Sequence, residues 1–175
     1  MTYPQQPRIL IPRDQINREV CRIADEIARD YQGKYPLMLG ILKGSFVFMS
    51  DLVRTLAIPV EIDFVRLSSY GSSRVSSEKI RLVHGLSLPV KDRDIIIVDD
   101  IVDTGLATSY LMNYIKKRKP ASLKICAFLD KPSRRKATVP IDYRGIVIPD
   151  RFVVGYGLDF AERYRDLPDI CTIEE

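Results

Sequence analysis

Apolar and polar residues follow one another along this chain in patterns that predict both strands and helices. Residues 95–98 form a short, fully apolar run of β-branched side chains, which predicts a strand buried on both faces. Leu37–Leu42 predicts a second strand of this kind. Apolar residues that recur three and four positions apart predict helices over residues 14–31, after Ser45 and after Gly105.

The order of these elements predicts an α/β fold with a central, mostly parallel sheet flanked by helices. Further strands are predicted at residues 60–65, 80–83, 122–129 and 143–148. Strand–helix–strand units imply parallel neighbours that are covered on both faces. The 175 residues fit one domain. The C-terminal third has little helical pattern, so we expect it to form a small subdomain over the site.

Three carboxylates follow the predicted strand at residues 95–98. They are Asp99, Asp100 and Asp103, and a Thr104-Gly105 turn comes after them. In open α/β sheets, ligands bind beyond the carboxyl ends of the strands. Carboxylates can hold a metal or sugar hydroxyls, and a turn at a helix N-terminus can hold a phosphate. The combination predicts a sugar-phosphate site, with solvated turn carboxylates as the alternative.

The composition restricts which class of protein this chain can be, but it says little about which reaction the chain catalyses. The formal net charge of +4 fits an anionic small molecule or weak nucleic-acid affinity. His84 is the single histidine, so a mechanism that needs two from this chain is excluded. The cysteines match no zinc or redox spacing, and we expect Cys21 and Cys126 to be buried thiols. No apolar run approaches the roughly 20 residues of a membrane span, and the N-terminus lacks a signal-peptide pattern, so we expect a cytoplasmic protein.

The stretch Val98-Asp99-Asp100-Ile101-Val102-Asp103-Thr104-Gly105 resembles the phosphoribosyl-pyrophosphate motif of the type I phosphoribosyltransferases. Four other segments resemble the 6-oxopurine branch of that family, the hypoxanthine(-guanine) phosphoribosyltransferases. These segments are Leu42-Lys43-Gly44, Ser69-Tyr70-Gly71, Asp-Lys-Pro-Ser-Arg-Arg at 130–135 and Phe-Val-Val-Gly-Tyr-Gly-Leu-Asp at 152–159. The resemblance implies transfer of a 5-phosphoribosyl group from phosphoribosyl pyrophosphate to N9 of hypoxanthine or guanine, with release of pyrophosphate.

The resemblance also implies a role for each of the acidic residues. Asp103 would be the catalytic residue and would accept the proton at purine N7. Asp99 and Asp100 would hold the ribose hydroxyls directly or through Mg²⁺, and Asp159 would bind a magnesium ion on the pyrophosphate. The phosphoribosyl group would contact Asp99, Asp100, Asp103, Thr104, Gly105, Leu106, Ala107 and Thr108.

Two further subsites follow from the same resemblance. Lys131 would donate to the purine O6, Phe152 would stack on the base, Val153 would read the base edge through its backbone, and Asp159 completes the purine-binding set. The pyrophosphate would be held by Lys43, Gly44, Ser69, Tyr70 and Arg165. The family often has a cis peptide in the Lys43-Gly44 segment.

The resemblance extends to the lid, the subdomain and the assembly. Residues 68–78 would close over the site as a lid and exclude water, with a plain hairpin tip as the alternative. A hood would form from the N-terminal segment and the C-terminal third, and the chain would assemble as a homodimer or homotetramer. At one position of the phosphate loop the family usually has threonine, whereas this chain has Ala107. We therefore expect one hydroxyl contact to the phosphate to be missing and the affinity for the substrate to be weaker.

The sequence leaves two other functions open. A regulator that uses this fold to bind nucleic acid would need an extensive basic face, and the charge of +4 argues against it. A sibling transferase could use xanthine or a pyrimidine. We expect phosphoribosyl pyrophosphate and 6-oxopurine bases as partners, and neither nucleic acid nor a membrane.

Overall fold

In the computed structural model, which describes residues 6–70 and 79–173, the chain folds around a six-stranded sheet. Five of its strands run parallel, and only β4 is antiparallel to its neighbour. The strand order is β4-β3-β2-β5-β6-β7. The bounds are β2 Leu37–Leu42, β3 Glu61–Tyr70, β4 Lys79–His84, β5 Asp94–Val102, β6 Ser122–Asp130 and β7 Tyr143–Val147. This confirms the predicted α/β architecture.

Three helices cover the two faces of the sheet, and their bounds are α1 Arg13–Asp30, α2 Phe46–Thr55 and α3 Leu106–Lys116. Helices α1 and α2 pack on one face, against Met38 of β2 and Phe128 of β6. Helix α3 packs on the other face through Leu111 and Ile115. The central strands β2 and β5 are therefore buried on both sides, which explains why their sequences are continuously apolar.

A second, antiparallel sheet joins the two ends of the chain. It contains β1 Arg8–Ile11, β8 Val153–Val154 and β9 Ile170–Thr172, in the order β1-β9-β8. Strand β9 was not predicted, because its three residues are too few to show an alternation. Tyr164 packs with Val154 of β8 and Cys171 of β9 in a small buried cluster.

Several local predictions need correction. Strand β5 continues to Val102, four residues beyond the predicted apolar run, so Asp99 and Asp100 lie within the strand. Strand β3 likewise continues to Tyr70. The predicted helix after Ser45 is α2, and the Ser45 hydroxyl donates to the carbonyl oxygen of Ile41 rather than capping the helix. Cys126 is buried as expected, whereas Cys21 is exposed on α1.

Residues 71–78 of the predicted lid lie outside the described residues, and so do the side chains of Ser69 and Tyr70. A short 3₁₀ helix at Pro132–Arg134 follows β6. Among the described helices, none is long and apolar enough to cross a membrane.

Candidate active site

The carboxyl ends of the parallel strands open into a cavity of about 530 Å³. Because β2, β5 and β6 are parallel, the segments that follow them meet at one edge of the sheet. The C-terminal segment after β8 forms the opposite wall. The cavity brings together nine of the residues predicted from the sequence: Lys43, Gly44, Asp100, Asp103, Lys131, Phe152, Val153, Asp159 and Arg165.

Asp99 and Asp100 are successive residues of β5 whose carboxyl groups lie close enough to interact, although their surroundings differ. Asp100 lines the cavity, whereas Asp99 is buried and accepts a hydrogen bond from the Thr108 hydroxyl at 2.7 Å. Burial raises the pKa of the Asp99 carboxyl well above its usual range, and the nearby charge of Asp100 adds to this effect. Burial also raises the pKa of Asp100 to about 6, although hydrogen bonds and the charge of Arg165 act in the opposite direction.

Asp103 lines this cavity, whereas Thr104 and Gly105, which follow it, do not. Gly105 has a φ of 77° and immediately precedes α3, whose first turn offers the amide groups of Ala107 and Thr108, while the Leu106 amide donates to the Thr104 hydroxyl at 3.4 Å. A side chain at Gly105 would meet the carbonyl oxygen of Ala137, so this glycine allows two backbone segments to pack closely. The Thr108 hydroxyl is engaged by Asp99.

The basic loop after β6 is fixed to the 104–105 turn. The backbone amides of Lys136 and Ala137 both donate to the carbonyl oxygen of Thr104, at 2.9 and 3.1 Å. The Arg135 guanidinium contacts Asp130 and donates to the carbonyl oxygen of Val102 at 3.2 Å. These bonds hold the turn and the loop as one unit.

Asp103 faces the cavity with an unsatisfied oxygen. Its Oδ1 is buried and makes no hydrogen bond with any described residue, although Arg134 Nε lies 3.2 Å away as an ion pair. Arg134 was not among the predicted site residues. It also lies 3.7 Å from Asp150, whose exposed carboxylate is 4.0 Å from Lys131 Nζ.

The base end of the cavity combines a buried cation with an exposed aromatic ring. Lys131 is 4% exposed, and its Nζ donates to the carbonyl oxygen of Arg151 at 2.8 Å. Phe152 is 43% exposed and meets Phe160 edge-on, with 5.5 Å between ring centroids. Val153 is buried, so it can offer its backbone rather than its side chain.

The other end of the cavity is strongly charged. Arg165 donates to the carbonyl oxygen of Gly157 at 2.7 Å and pairs with Asp159 at 2.7 Å. A methyl group at Gly44 would overlap the Asp100 carboxylate, and one at Gly157 would overlap the carbonyl oxygen of Gly44. The cis peptide bond is Leu42–Lys43, one bond before the predicted position.

Glu162 also lines this end of the cavity, and sequence reasoning missed it. The chain between β8 and β9 has no periodic pattern from which the direction of this side chain could be inferred. Arg134 belongs to the segment at 130–135 that resembles the 6-oxopurine branch, but the sequence alone could not show which of Arg134 and Arg135 lines the cavity.

Comparison with known proteins shows that the chain is similar to phosphoribosyltransferases. A family profile described as a phosphoribosyl transferase domain matches residues 12–161. The chain is 46% identical to the hypoxanthine-guanine phosphoribosyltransferase of Bacillus subtilis (strain 168), over 95% of this chain and 93% of that protein.

Solved structures agree with this likeness. A crystal structure of a hypoxanthine-guanine phosphoribosyltransferase from Bacillus anthracis superimposes with a TM-score of 0.90 at 40% identity, covering 95% of this chain and 98% of the other. A hypoxanthine phosphoribosyl transferase of Trypanosoma cruzi, studied for the role of its C-terminal region in oligomeric state and activity, gives a TM-score of 0.91 at 36% identity, covering 99% and 94%.

Proposed function

The chain belongs to the phosphoribosyl transferase family, and from this premise we infer that it is a hypoxanthine phosphoribosyltransferase of purine salvage. It transfers the 5-phosphoribosyl group of phosphoribosyl pyrophosphate to N9 of hypoxanthine, and of guanine, and releases pyrophosphate. The observation that carries this function is the single cavity in which Asp103, Lys131 and Arg165 meet at the carboxyl edge of the sheet.

The buried oxygen of Asp103 supports its role as the proton acceptor for purine N7. A carboxylate oxygen with no hydrogen bond from the described residues is ready to accept one from a substrate N–H. The same negative charge stabilises the positive charge that develops on the sugar as pyrophosphate leaves. Arg134, which pairs with this carboxylate, has to yield when the base enters.

The two walls at the base end support a 6-oxopurine. Lys131 is a buried donor whose ammonium group can reach O6, and an amino group at that position of adenine cannot accept this hydrogen bond. The half-exposed ring of Phe152 can stack on the base, and the Val153 backbone can bond its edge.

The other predicted residues account for the ribose, the 5′-phosphate and the pyrophosphate of the substrate. Asp99 holds α3 in place through Thr108, while Asp100 faces the ribose hydroxyls. The segment from Thr104 to Thr108, which leads into the first turn of α3, receives the 5′-phosphate, and here Ala107 offers only its amide. Lys43, Gly44 and Arg165 bind the pyrophosphate together with Ser69 and Tyr70.

The carboxylates of the cavity fit a magnesium ion in their chemistry. Oxygen ligands suit Mg²⁺, which proteins usually bind through one or two carboxylates together with substrate phosphates and water. Asp100 and Asp159 provide two such groups facing the cavity, with Asp99 behind them. No cluster of three or more candidate ligands occurs among the described residues, so the substrate would complete the coordination. The ion would neutralise charge on the leaving pyrophosphate.

We also propose a single domain in which the small sheet of β1, β8 and β9 acts as the hood over the base. Phe152 and Val153 lie at its edge, which supports this assignment. Residues 68–78 would act as the lid. A homodimer or homotetramer is proposed from the family resemblance, and light scattering tests it. The cytoplasmic location stays a prediction that cell fractionation tests.

A base panel tests the function. Pyrophosphate release is followed with magnesium, phosphoribosyl pyrophosphate and one of hypoxanthine, guanine, xanthine or adenine. We expect turnover with hypoxanthine and guanine and none with adenine. If no base is consumed, the proposal that this protein is a phosphoribosyltransferase is wrong. Turnover with xanthine alone would instead indicate the sibling transferase that uses xanthine.

Asp103→Asn tests the mechanism. We expect kcat to fall by about 10²- to 10⁴-fold, because a positioned acid–base group contributes about that much, while binding of phosphoribosyl pyrophosphate is largely kept. Asp25→Asn, an exposed position on α1, makes the same change in charge and should leave kcat unaltered. Equal kcat values for the Asp103 variant and the wild type would remove Asp103 from its role.

A further inference from the structure

The carboxylate of Glu162 spans the two cations at the pyrophosphate end of the cavity. Its Oε1 lies 2.8 Å from Lys43 Nζ, and its Oε2 lies 3.2 Å from Arg165 Nη2. Lys43 and Arg165 belong to segments far apart in the chain, and Glu162 is the group that joins them. The hydrogen bonds from Lys43 and then Arg165 lower the pKa of this carboxyl, so it is ionised at neutral pH.

The backbone around Glu162 is held in an unusual conformation that keeps the side chain in this place. Ala161, Glu162 and Tyr164 all have positive φ values, of 51°, 63° and 75°. Side chains other than glycine rarely adopt this region, since it costs free energy. The Asp159 carboxylate accepts the Glu162 amide at 2.9 Å, which helps to fix the turn.

The Glu162 carboxylate contacts Lys43 and Arg165 in the same manner as a bound phosphate or pyrophosphate would. Two oxygens of one negatively charged group each meet a different cation, as two oxygens of a phosphate or pyrophosphate would. Lys43 and Arg165 are also the cations that the proposed function assigns to pyrophosphate. The same positive charges therefore cannot serve both anions fully at once.

We propose that Glu162 is an internal competitor for the pyrophosphate subsite, which lowers the affinity of the enzyme for pyrophosphate and for the pyrophosphate group of its substrate. This inference rests on the proposed function. The Glu162 side chain is 64% exposed, so it can turn into solvent when the substrate arrives. When pyrophosphate leaves, the carboxylate returns to the two cations and favours release of the product.

Glu162→Gln tests this competition, because glutamine keeps the size of the side chain and removes its charge. Isothermal titration with inorganic pyrophosphate and magnesium measures the Kd, and product inhibition gives a second value. Exposed ion pairs have modest strength, so we expect pyrophosphate to bind about three- to fivefold more tightly to the variant. The KM for phosphoribosyl pyrophosphate should fall in parallel, while the KM for hypoxanthine stays unchanged. Glu162→Ala should give at least the same gain.

Glu26→Gln is the matched control. Glu26 pairs with Arg22 at 2.8 Å on α1, so the substitution changes the net charge equally and breaks an ion pair of equal length outside the cavity. It should leave pyrophosphate affinity unaltered.

A Kd for pyrophosphate that stays the same or rises in both Glu162 variants overturns the proposal, and so does a lack of measurable binding in wild type and variants alike. A rise would show that Glu162 positions Lys43 and Arg165 for the ligand. The proposed function is tested separately by the base panel on the wild type, so turnover there with unchanged pyrophosphate affinity in the variants defeats the competition alone.

Discussion

Replacing Asp100 with asparagine should make the ligand-free protein more stable, although it removes a carboxylate from the proposed ribose subsite. Asp100 lies on β5 at the wall of the cavity, and burial raises the pKa of its carboxyl to about 6. Asparagine has nearly the same shape and no charge. The substitution therefore removes the cost of burying the ionised group.

The size of this gain follows from the pKa. The difference between about 6 and the ordinary value of 3.8 corresponds to about 3 kcal/mol at neutral and higher pH. Because the carboxyl lines a cavity and is in partial contact with solvent, this value is an upper bound. For a chain of this length, it corresponds to at most roughly 6–12 °C in Tm.

The gain should depend on pH with a definite sign. A raised pKa means that the folded state keeps the Asp100 proton between pH 3.8 and about 6, where the unfolded chain has lost it. The contribution of this group to stability is therefore complete below this window, falls as the pH rises through it, and stays low above it. The advantage of Asp100→Asn should be at most about 1.5 kcal/mol at pH 5 and at most about 3 kcal/mol at pH 8.

Thermal and urea unfolding without magnesium or substrates, at pH 5 and pH 8, measure this difference. Asp25→Asn serves as the control, because an exposed substitution should change the free energy of unfolding by less than about 0.5 kcal/mol at either pH. A variant no more stable than the wild type at pH 8, or a gain that is equal at both pH values, would refute the reasoning. With magnesium and phosphoribosyl pyrophosphate added, the wild type should gain more stability than the variant.

Two further substitutions test the ends of the cavity. Gly157→Ala should push the Gly44 segment away and raise the KM for phosphoribosyl pyrophosphate. Gly33→Ala, also at positive φ but with open space around it, should lower stability alone, and equal kinetic effects of the two changes would contradict the steric argument. Lys131→Met should lower kcat/KM for hypoxanthine by about 10- to 100-fold and weaken the preference over adenine, as the base panel will measure. If that preference survives, the O6 contact lies elsewhere.

The sequence was sufficient to predict the layers of the fold, because burial imposes simple patterns. The runs Leu37–Leu42 and residues 95–98 are apolar since β2 and β5 are covered on both faces. The ends of elements were harder to predict. Strand β5 extends through Asp99 and Asp100, which are polar residues that a pattern of burial assigns to a loop. Strand β9 is held by its partners β1 and β8 rather than by its own sequence.

A site residue could be predicted from the sequence when it directly follows a strand. It could not be predicted when its contacts depend on where its side chain points. The cavity contains Lys43, Asp103 and Lys131, each of which lies just beyond the carboxyl end of a parallel strand. Asp99 was predicted to share one role with Asp100, yet its side chain points to Thr108 inside the protein. Only the packing of β5 against α3 shows that Asp99 is engaged by Thr108 while Asp100 lines the cavity.

The polar groups left incomplete in the free protein show where a ligand is needed. Among the described residues, three buried side-chain atoms lack hydrogen bonds, and two of them are Asp103 Oδ1 and Arg135 Nη1, which lie on either side of the 104–105 turn. The third, the Tyr31 hydroxyl, belongs to the core. A buried polar atom without a hydrogen bond costs free energy in the folded state, although the ion pair with Arg134 offsets part of this cost at Asp103. A ligand that brings an N–H to Asp103 and negative charge to Arg135 would provide both atoms with hydrogen bonds, which would contribute to its binding.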